Sequence, residues 1–379
     1  MSDNPRTETA VLSVGDERIV EIGPIAHGGH FIAHSDGRTL FVRHAITGER
    51  VRVRVTAVNR KMVRADAIEV IDAAPDRVPA PCPWAHAGGC GGCDFQHIAV
   101  PAQRRLKQDV LTDALRRFGR LGDDDLVRLD LTVNELPGHP DGLRWRTRMT
   151  WATDAEGHVG LRRYRRHDVI PVDRCLIAAE GMDVPGDAPT GKVTHELRGR
   201  TWRMERGDFW QVHDALPEAL VDTVLEFGRP QPGQSWWDLY AGAGLFAAFL
   251  GEAVGEEGAV DSIEEAEAAV KAARRALHDL PQIDLYEGDV RTWLATAAGR
   301  PDGVVLDPPR AGAGESVLSA VCERAPDRLV YVACDPVALG RDVAILAGLG
   351  YRLTDLRAFD AFPMTHHLET VAAFSPAAG

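Results

Sequence analysis

No run of eighteen apolar residues occurs in the 379-residue chain, and its first thirty residues carry no signal-peptide pattern. These two absences predict a cytoplasmic protein with no membrane partner. Missing too are a GxxxxGK[ST] sequence and a third glycine at dinucleotide spacing, which argues against ATP and NAD cradles. No C-x3-C-x2-C is present, so radical chemistry is disfavoured, and no flavin or nicotinamide motif points to a redox enzyme. Cysteine is sparse, at 6 residues, and in a reducing compartment such thiols argue for metal or catalysis over disulfides. A positive surplus is lacking as well, since the net charge is −13. That deficit is local, because residues 207–379 hold 12 basic against 27 acidic side chains. Residues 1–206 are close to balanced, and seven arginines fall between Arg144 and His167 against two acids. An RNA partner is therefore not excluded; it would have to touch the first half.

What is present centres on Ser235 to Phe246, SWWDLYAGAGLF. An apolar stretch runs into glycines and then into the apolar helical run Leu245–Leu250, which is the opening strand–turn–helix of a doubly wound α/β sheet. Asp238 lies at the strand's carboxyl end, where such sheets bind ligands. A second strand, Ala259–Glu264, ends in an acid whose carboxylate can accept hydrogen bonds from ribose hydroxyls. With the dinucleotide spacing absent, these features point to a single-nucleoside cofactor such as S-adenosylmethionine. An ordinary βα turn is the bland alternative. Ile283–Val290 carries Asp289 at its end, further strands end in Asp307-Pro308-Pro309-Arg310 and in Cys334-Asp335-Pro336, and Leu368–Phe374 closes a sheet of six or seven strands.

Upstream, residues 1–10 read as a polar tail, and Val11 to about Asp72 as five short strands separated by Gly and Asp turns. That spacing predicts a small OB-like β-barrel. Arg50–Val55 alternates strictly, with arginines on one face that suit either RNA contact or plain solvation. Cys82, Cys90 and Cys93 follow as C-x7-C-x2-C flanked by glycines, with Cys175 downstream as a fourth thiol. Four thiolates fit zinc or an iron–sulfur cluster; the three-plus-one arrangement favours a 4Fe–4S cluster in a structural role. Gln96–Phe118 reads as a helix with Gln103, Arg104, Arg105 and Lys107 on a polar face. Leu143–Val172 reads as sheet, its arginines interleaved with Trp145, Trp151 and Tyr164 as a single-stranded RNA platform requires. Soluble edge strands are the alternative. A linker is expected at Gly181–Gly191, and a helix at Leu216–Phe227.

Carbon 5 of uracil is not nucleophilic until a thiolate adds to carbon 6, and a base must then remove the carbon 5 proton. Cys334, Glu369 and Asp307 supply a thiol and carboxylates suited to that scheme, whereas Cys322, inside a helical run, reads as inert. At this point the chain resembles the RNA uracil-5-methyltransferase family, in the branch with an N-terminal TRAM barrel and an iron–sulfur cluster that acts on 23S rRNA. The resemblance spans nearly the whole chain, from Gly23-Pro-Ile-Ala-His-Gly-Gly29 through Cys90-Gly-Gly-Cys93 to the last strand.

The resemblance implies that Cys334 is the nucleophile and Glu369 the general base, with Asp307 facing cofactor and uracil. It further implies that Gln211, Tyr240, Glu264, Asp289 and Asp307 bind S-adenosyl-L-methionine and that Cys82, Cys90, Cys93 and Cys175 hold the 4Fe–4S cluster. Ala333 before the nucleophile, His213 after Gln-Val, seven residues between the first cysteines and Arg275 depart from the family pattern. The implied organisation is a TRAM-like barrel at 1–74, a cluster-bearing α+β central domain at 75–205 and a Rossmann-like methyltransferase domain at 206–379. No obligate protein partner is implied. A transfer-RNA enzyme of the same fold and a non-catalytic ribosome-assembly factor are the rival readings; the intact set of reacting residues speaks against the second.

Overall fold

A computed structural model describes residues 12–60, 62–182 and 191–377. The polar tail at 1–10 and most of the linker at 181–191 lie outside the described residues. No helix among these residues is long and apolar enough to cross a membrane.

The first unit is a six-stranded sheet ordered Glu17–Glu21, Arg50–Val58, Val63–Asp72, Arg38–Arg43, His30–Ser35 and Ile25–Ala26. Period-2 alternation drives it: Val51, Val53 and Val55 are buried while Arg50, Arg52 and Arg54 point outward. Three register shifts between Arg50–Val58 and Val63–Asp72 curl the sheet around its apolar face. Its core continues into Phe95, Ile98, Ala102 and Leu106, which ties the cysteine-bearing arm to the barrel. The outward arginines each meet a cross-strand acid: Arg50–Asp72 at 3.8 Å, Arg52–Glu69 at 2.7 Å and Arg54–Glu17 at 2.8 Å.

The helix Val100–Arg117 starts with a proline in its first turn, where a missing N–H costs nothing. Its polar face departs from the sequence expectation. Arg104 and Arg105 reach acids near the surface, but Gln103 and Lys107 are almost wholly buried. They lie one turn apart and serve as hydrogen-bonding groups toward residues 360–364. The sheet expected over 143–172 is reduced to three short strands at Ala152–Thr153, Val159–Arg162 and Val169–Ile170. Residues 144–151 form no strand. The backbone there is shared between two neighbours, as Arg146 N–H donates to Ile177 O at 2.8 Å and Thr147 N–H to Val212 O at 2.8 Å. A hairpin absent from the sequence reading, Lys192–Leu197 with Arg200–Glu205, turns at Arg198-Gly199, both at positive φ (50° and 83°).

The second large unit is an eight-stranded sheet. Its order is Ile283–Glu287, Ala259–Glu264, Ser235–Leu239, Gly303–Leu306, Arg328–Ala333, Glu369–Pro376, Tyr351–Phe359 and Val133–Asn134. The first five strands are parallel; the inner Gly303–Leu306 and Arg328–Ala333 are buried and read as nearly continuous apolar runs, whereas the edge strand Ile283–Glu287 is largely open to solvent. Glu369–Pro376 enters antiparallel between two neighbours. Strand order reverses between Ser235–Leu239 and Gly303–Leu306, which opens a crevice at their carboxyl ends.

Candidate active site

The glycine turn leaves the first parallel strand through Tyr240 at φ 63°, Gly242 at φ 55° and Gly244 at φ 78°. Gly244 is required twice over, since a Cβ there would sit 2.8 Å from Leu277 Cδ1 in a left-handed backbone. Glu264 fastens this turn: its Oε2 accepts the Gly242 N–H at 2.9 Å and its Oε1 the Ala266 N–H at 2.7 Å. Each carboxylate oxygen keeps a second lone pair, so the side chain is held in place and still able to accept. Asp289 caps the helix Val290–Leu294, taking the N–H and hydroxyl of Thr292, both at 2.9 Å, and these bonds lower its carboxyl from the ordinary range. Burial pushes the Tyr240 phenol up to about 12. Gln211 is half-buried on the segment leading into the helix Leu216–Gly228.

Asp238, at the strand's carboxyl end as the sequence suggested, has one carboxylate oxygen taken up by the following helix. It is fully buried, and its Oδ2 accepts the Ala247 N–H at 2.8 Å in the first turn of the helix Leu245–Val254. Its Oδ1 has no partner among the described residues, and burial pushes the carboxyl up to about 7.

The crevice floor is built by register. Ala333 pairs with Thr370, so Cys334 and Glu369 lie one step beyond that pair on adjacent antiparallel strands. Leu306 pairs with Tyr331, which sets Asp307 at the neighbouring strand end, where its N–H donates to Leu239 O at 3.2 Å. Burial pushes Asp307 up to about 7, with Glu264 adding to the shift, and holds Glu369 well above the carboxylate range, with Asp307 adding. Cys334 rises to about 12, chiefly through burial and then through Glu369 and Asp307; Arg310 opposes this. Cys334 also stands at the start of the helix Pro336–Gly348, a position that favours a thiolate, but burial among acids outweighs the helix dipole. In the ligand-free protein burial therefore disfavours the charged forms of the Cys334 thiol and of the Asp307 and Glu369 carboxyls.

Three residues near this floor escaped the sequence reading. His27, on the barrel turn, meets the Oδ2 of Asp335 at 3.0 Å, next to Cys334. Asp94, next to Cys93, meets His366 Nδ1 at 2.6 Å, three residues before Glu369. The histidine-glycine turn at 27–29 was the available signal for the first; nothing in the sequence pairs 94 with 366.

Cys82, Cys90, Cys93 and Cys175 converge on one cavity of about 360 Å³. Burial pushes the Cys90 and Cys93 thiols up, and two contacts oppose it: Gln96 Nε2 donates to Cys93 Sγ at 3.3 Å and the Gly92 N–H to Cys90 Sγ at 3.4 Å. The flanking glycine is needed, since a Cβ on Gly91 would lie 2.7 Å from Tyr164 Cα. Cys322 is half-buried on another helix, and burial pushes its thiol up to about 11. Arg146, Arg162, Arg163 and Arg165 border the same cavity, with Tyr164 among them. Arg165 lies over the Tyr164 ring at 5.3 Å, and Arg163 donates to Gly88 O. Trp145, expected to offer a stacking face, is instead buried against His213, with centroids 6.1 Å apart.

Residues 261–375 match the family described as tRNA (Uracil-5-)-methyltransferase, and residues 12–68 match the TRAM domain. An RNA methyltransferase of Streptomyces avermitilis, itself uncharacterized, is 40% identical over 96% of this chain and 99% of its own length. A 23S rRNA (uracil(1939)-C(5))-methyltransferase, RlmD, of Alkalilimnicola ehrlichii is 32% identical over 94% of this chain and 96% of its own. In fold, the chain is similar to the Pyrococcus abyssi tRNA (uracil-54, C5)-methyltransferase solved with S-adenosyl-L-homocysteine. That TM-score is 0.69 at 19% identity, covering 94% of this chain and 99% of the other.

Proposed function

The chain belongs to the RNA uracil-5-methyltransferase family, and on that premise we propose that it methylates carbon 5 of a uridine in 23S rRNA through a covalent Cys334–uracil adduct. The observation that carries this reading is the register that sets Cys334 beside Glu369, with Asp307 at the adjoining strand end. Gln211, Tyr240, Glu264, Asp289 and Asp307 would hold S-adenosylmethionine, which when bound supplies the methyl that carbon 5 takes and a positive sulfonium charge. Positive charge among these buried acids favours their ionised forms and that of the thiol, as Arg310 already does in part. Cys334 adds its sulfur to carbon 6 of a uridine flipped out of its stack. Glu369 then takes the carbon 5 proton; the electron pair of that C–H bond reforms the ring double bond and expels Cys334 as thiolate. Asp307 orients the uracil edge or the methionine part of the cofactor.

We further assign residues 1–74 to a TRAM-like barrel that binds RNA, 75–205 to a cysteine-bearing central domain and 206–379 to the methyltransferase domain. The arginines around Tyr164 would take phosphates of the incoming strand. The four cysteines would hold a structural 4Fe–4S cluster. The four thiols line one cavity, and three close in sequence with a fourth downstream is the arrangement that supports a cluster over a single zinc ion.

Two variants test the chemistry. Cys334→Ala should form no covalent complex with 5-fluorouridine RNA, and an adduct that persists would remove Cys334 from the role. Glu369→Gln should accumulate an adduct with unmodified RNA; free turnover would remove Glu369. Comparing methyl uptake into ribosomal and transfer RNA from a strain deleted for the gene decides the substrate, and uptake into transfer RNA alone would overturn the 23S reading.

A further inference from the structure

The segment Asp360–Leu368, which leads into Glu369, contains no helix and no strand. It is fastened from outside. Lys107 Nζ, buried, reaches Asp360 Oδ1 at 2.5 Å and Phe362 O at 3.0 Å. Gln103 Oε1 accepts the Met364 N–H at 2.8 Å, and Met364 O accepts the N–H groups of Asp94 and Phe95, both at 3.0 Å. The fastening nearest Glu369 is Asp94 Oδ2, which meets His366 Nδ1 at 2.6 Å and the His366 N–H at 3.3 Å. Asp94 is itself held from the barrel, where the buried Arg43 donates to its Oδ1 at 3.3 Å and lies over the Tyr164 ring at 3.5 Å. The barrel turn closes on the same pair, since a Cβ on Gly29 would lie 2.9 Å from His366 Cβ and 3.2 Å from Asp94 Cβ.

We infer that Asp94 is a positioning residue for Glu369, acting through His366, so that the barrel and the cysteine arm together set where the carboxylate stands. This rests on Glu369 being the base proposed above. The reason is geometric. Glu369 is the first residue of its strand, paired with Phe359 on one side; its other backbone direction is the fastened segment. Proton abstraction requires the carboxylate within hydrogen-bond reach of the carbon 5 proton, and a displacement of about 1 Å can slow such a step by roughly 100-fold. A loosened His366 would leave addition of Cys334 and methyl transfer intact and retard the last step, in which the C–H bond breaks and the sulfur leaves.

The test uses the full-length, metal-replete protein with unmodified RNA and S-adenosylmethionine. Asp94→Asn and His366→Ala are each compared with wild type and with Glu369→Gln for kcat, KM of the cofactor, and the fraction of enzyme trapped as covalent adduct at steady state. Both variants should lose at least roughly tenfold in kcat, keep the cofactor KM within about twofold, and raise the trapped fraction. Because Asp94 neighbours a proposed cluster ligand, metal content is measured alongside; if Asp94→Asn loses it, His366→Ala alone decides. Should Glu369→Gln trap adduct while neither variant does, Asp94 does not position the base. Should Glu369→Gln trap none, the base assignment fails instead.

Discussion

The outer face of the barrel and the floor of the crevice handle charge in opposite ways. On the barrel, Arg50, Arg52 and Arg54 each have an acid on a neighbouring strand, and the pairs are open to solvent. On the floor, Asp307 and Glu369 lie near Cys334, Arg310 acts on Glu369 and Cys334, and both carboxyls are forced toward their neutral forms. The first region is electrostatically complete and leaves a ligand little to gain. The second is short of positive charge, and a cationic ligand that enters relieves the shortfall.

The sharpest way to break this contrast is to remove an acid from the floor. Asp307→Asn should weaken binding of S-adenosylmethionine by about tenfold or more, the scale of a hydrogen bond to a charged group, and weaken S-adenosylhomocysteine less. Calorimetry with both ligands checks it; equal losses would mean that Asp307 does not answer the sulfonium charge. A smaller effect should appear with pH. Asp238 and Asp307, each pushed up to about 7, bind protons in the folded state that the unfolded chain releases near pH 4. The stability of the ligand-free protein should therefore fall as pH rises from about 4 to about 7 and level off above, and Asp238→Asn should flatten the slope in a melting series. The smallest effect belongs to the barrel: replacing Arg50, Arg52 and Arg54 by alanine should change RNA affinity by less than about twofold in a filter-binding titration, as expected for paired, exposed charges. A tenfold loss would return that face to RNA binding.

The crevice was legible because a parallel strand covered on both faces must be apolar throughout, so the polar residue that ends it stands out. Asp307 and Cys334 were visible in this way, whereas Glu264 ends a strand that already carries Asp261 and Ser262. Asp238 was visible too, but its direction was not, since a helix start and a ligand make the same demand on a carboxylate. The central segment was misread for a different reason. Alternation over residues 144–151 mimics a strand, yet these residues bridge two separate segments, and Trp145 is buried where a platform was expected. Gln103 and Lys107 show the converse, polar side chains spent inside the protein, with partners more than 250 positions away in the sequence. Such pairings leave no local trace.

The strand that begins at Glu369 is made after both of its neighbours, Arg328–Ala333 and Tyr351–Phe359, and must slot between them. Until it does, Cys334 has no Glu369 across from it. On the roles proposed for that pair, a half-finished sheet would be unable to carry the reaction through, and assembly of the fold and arming of the enzyme would be a single event.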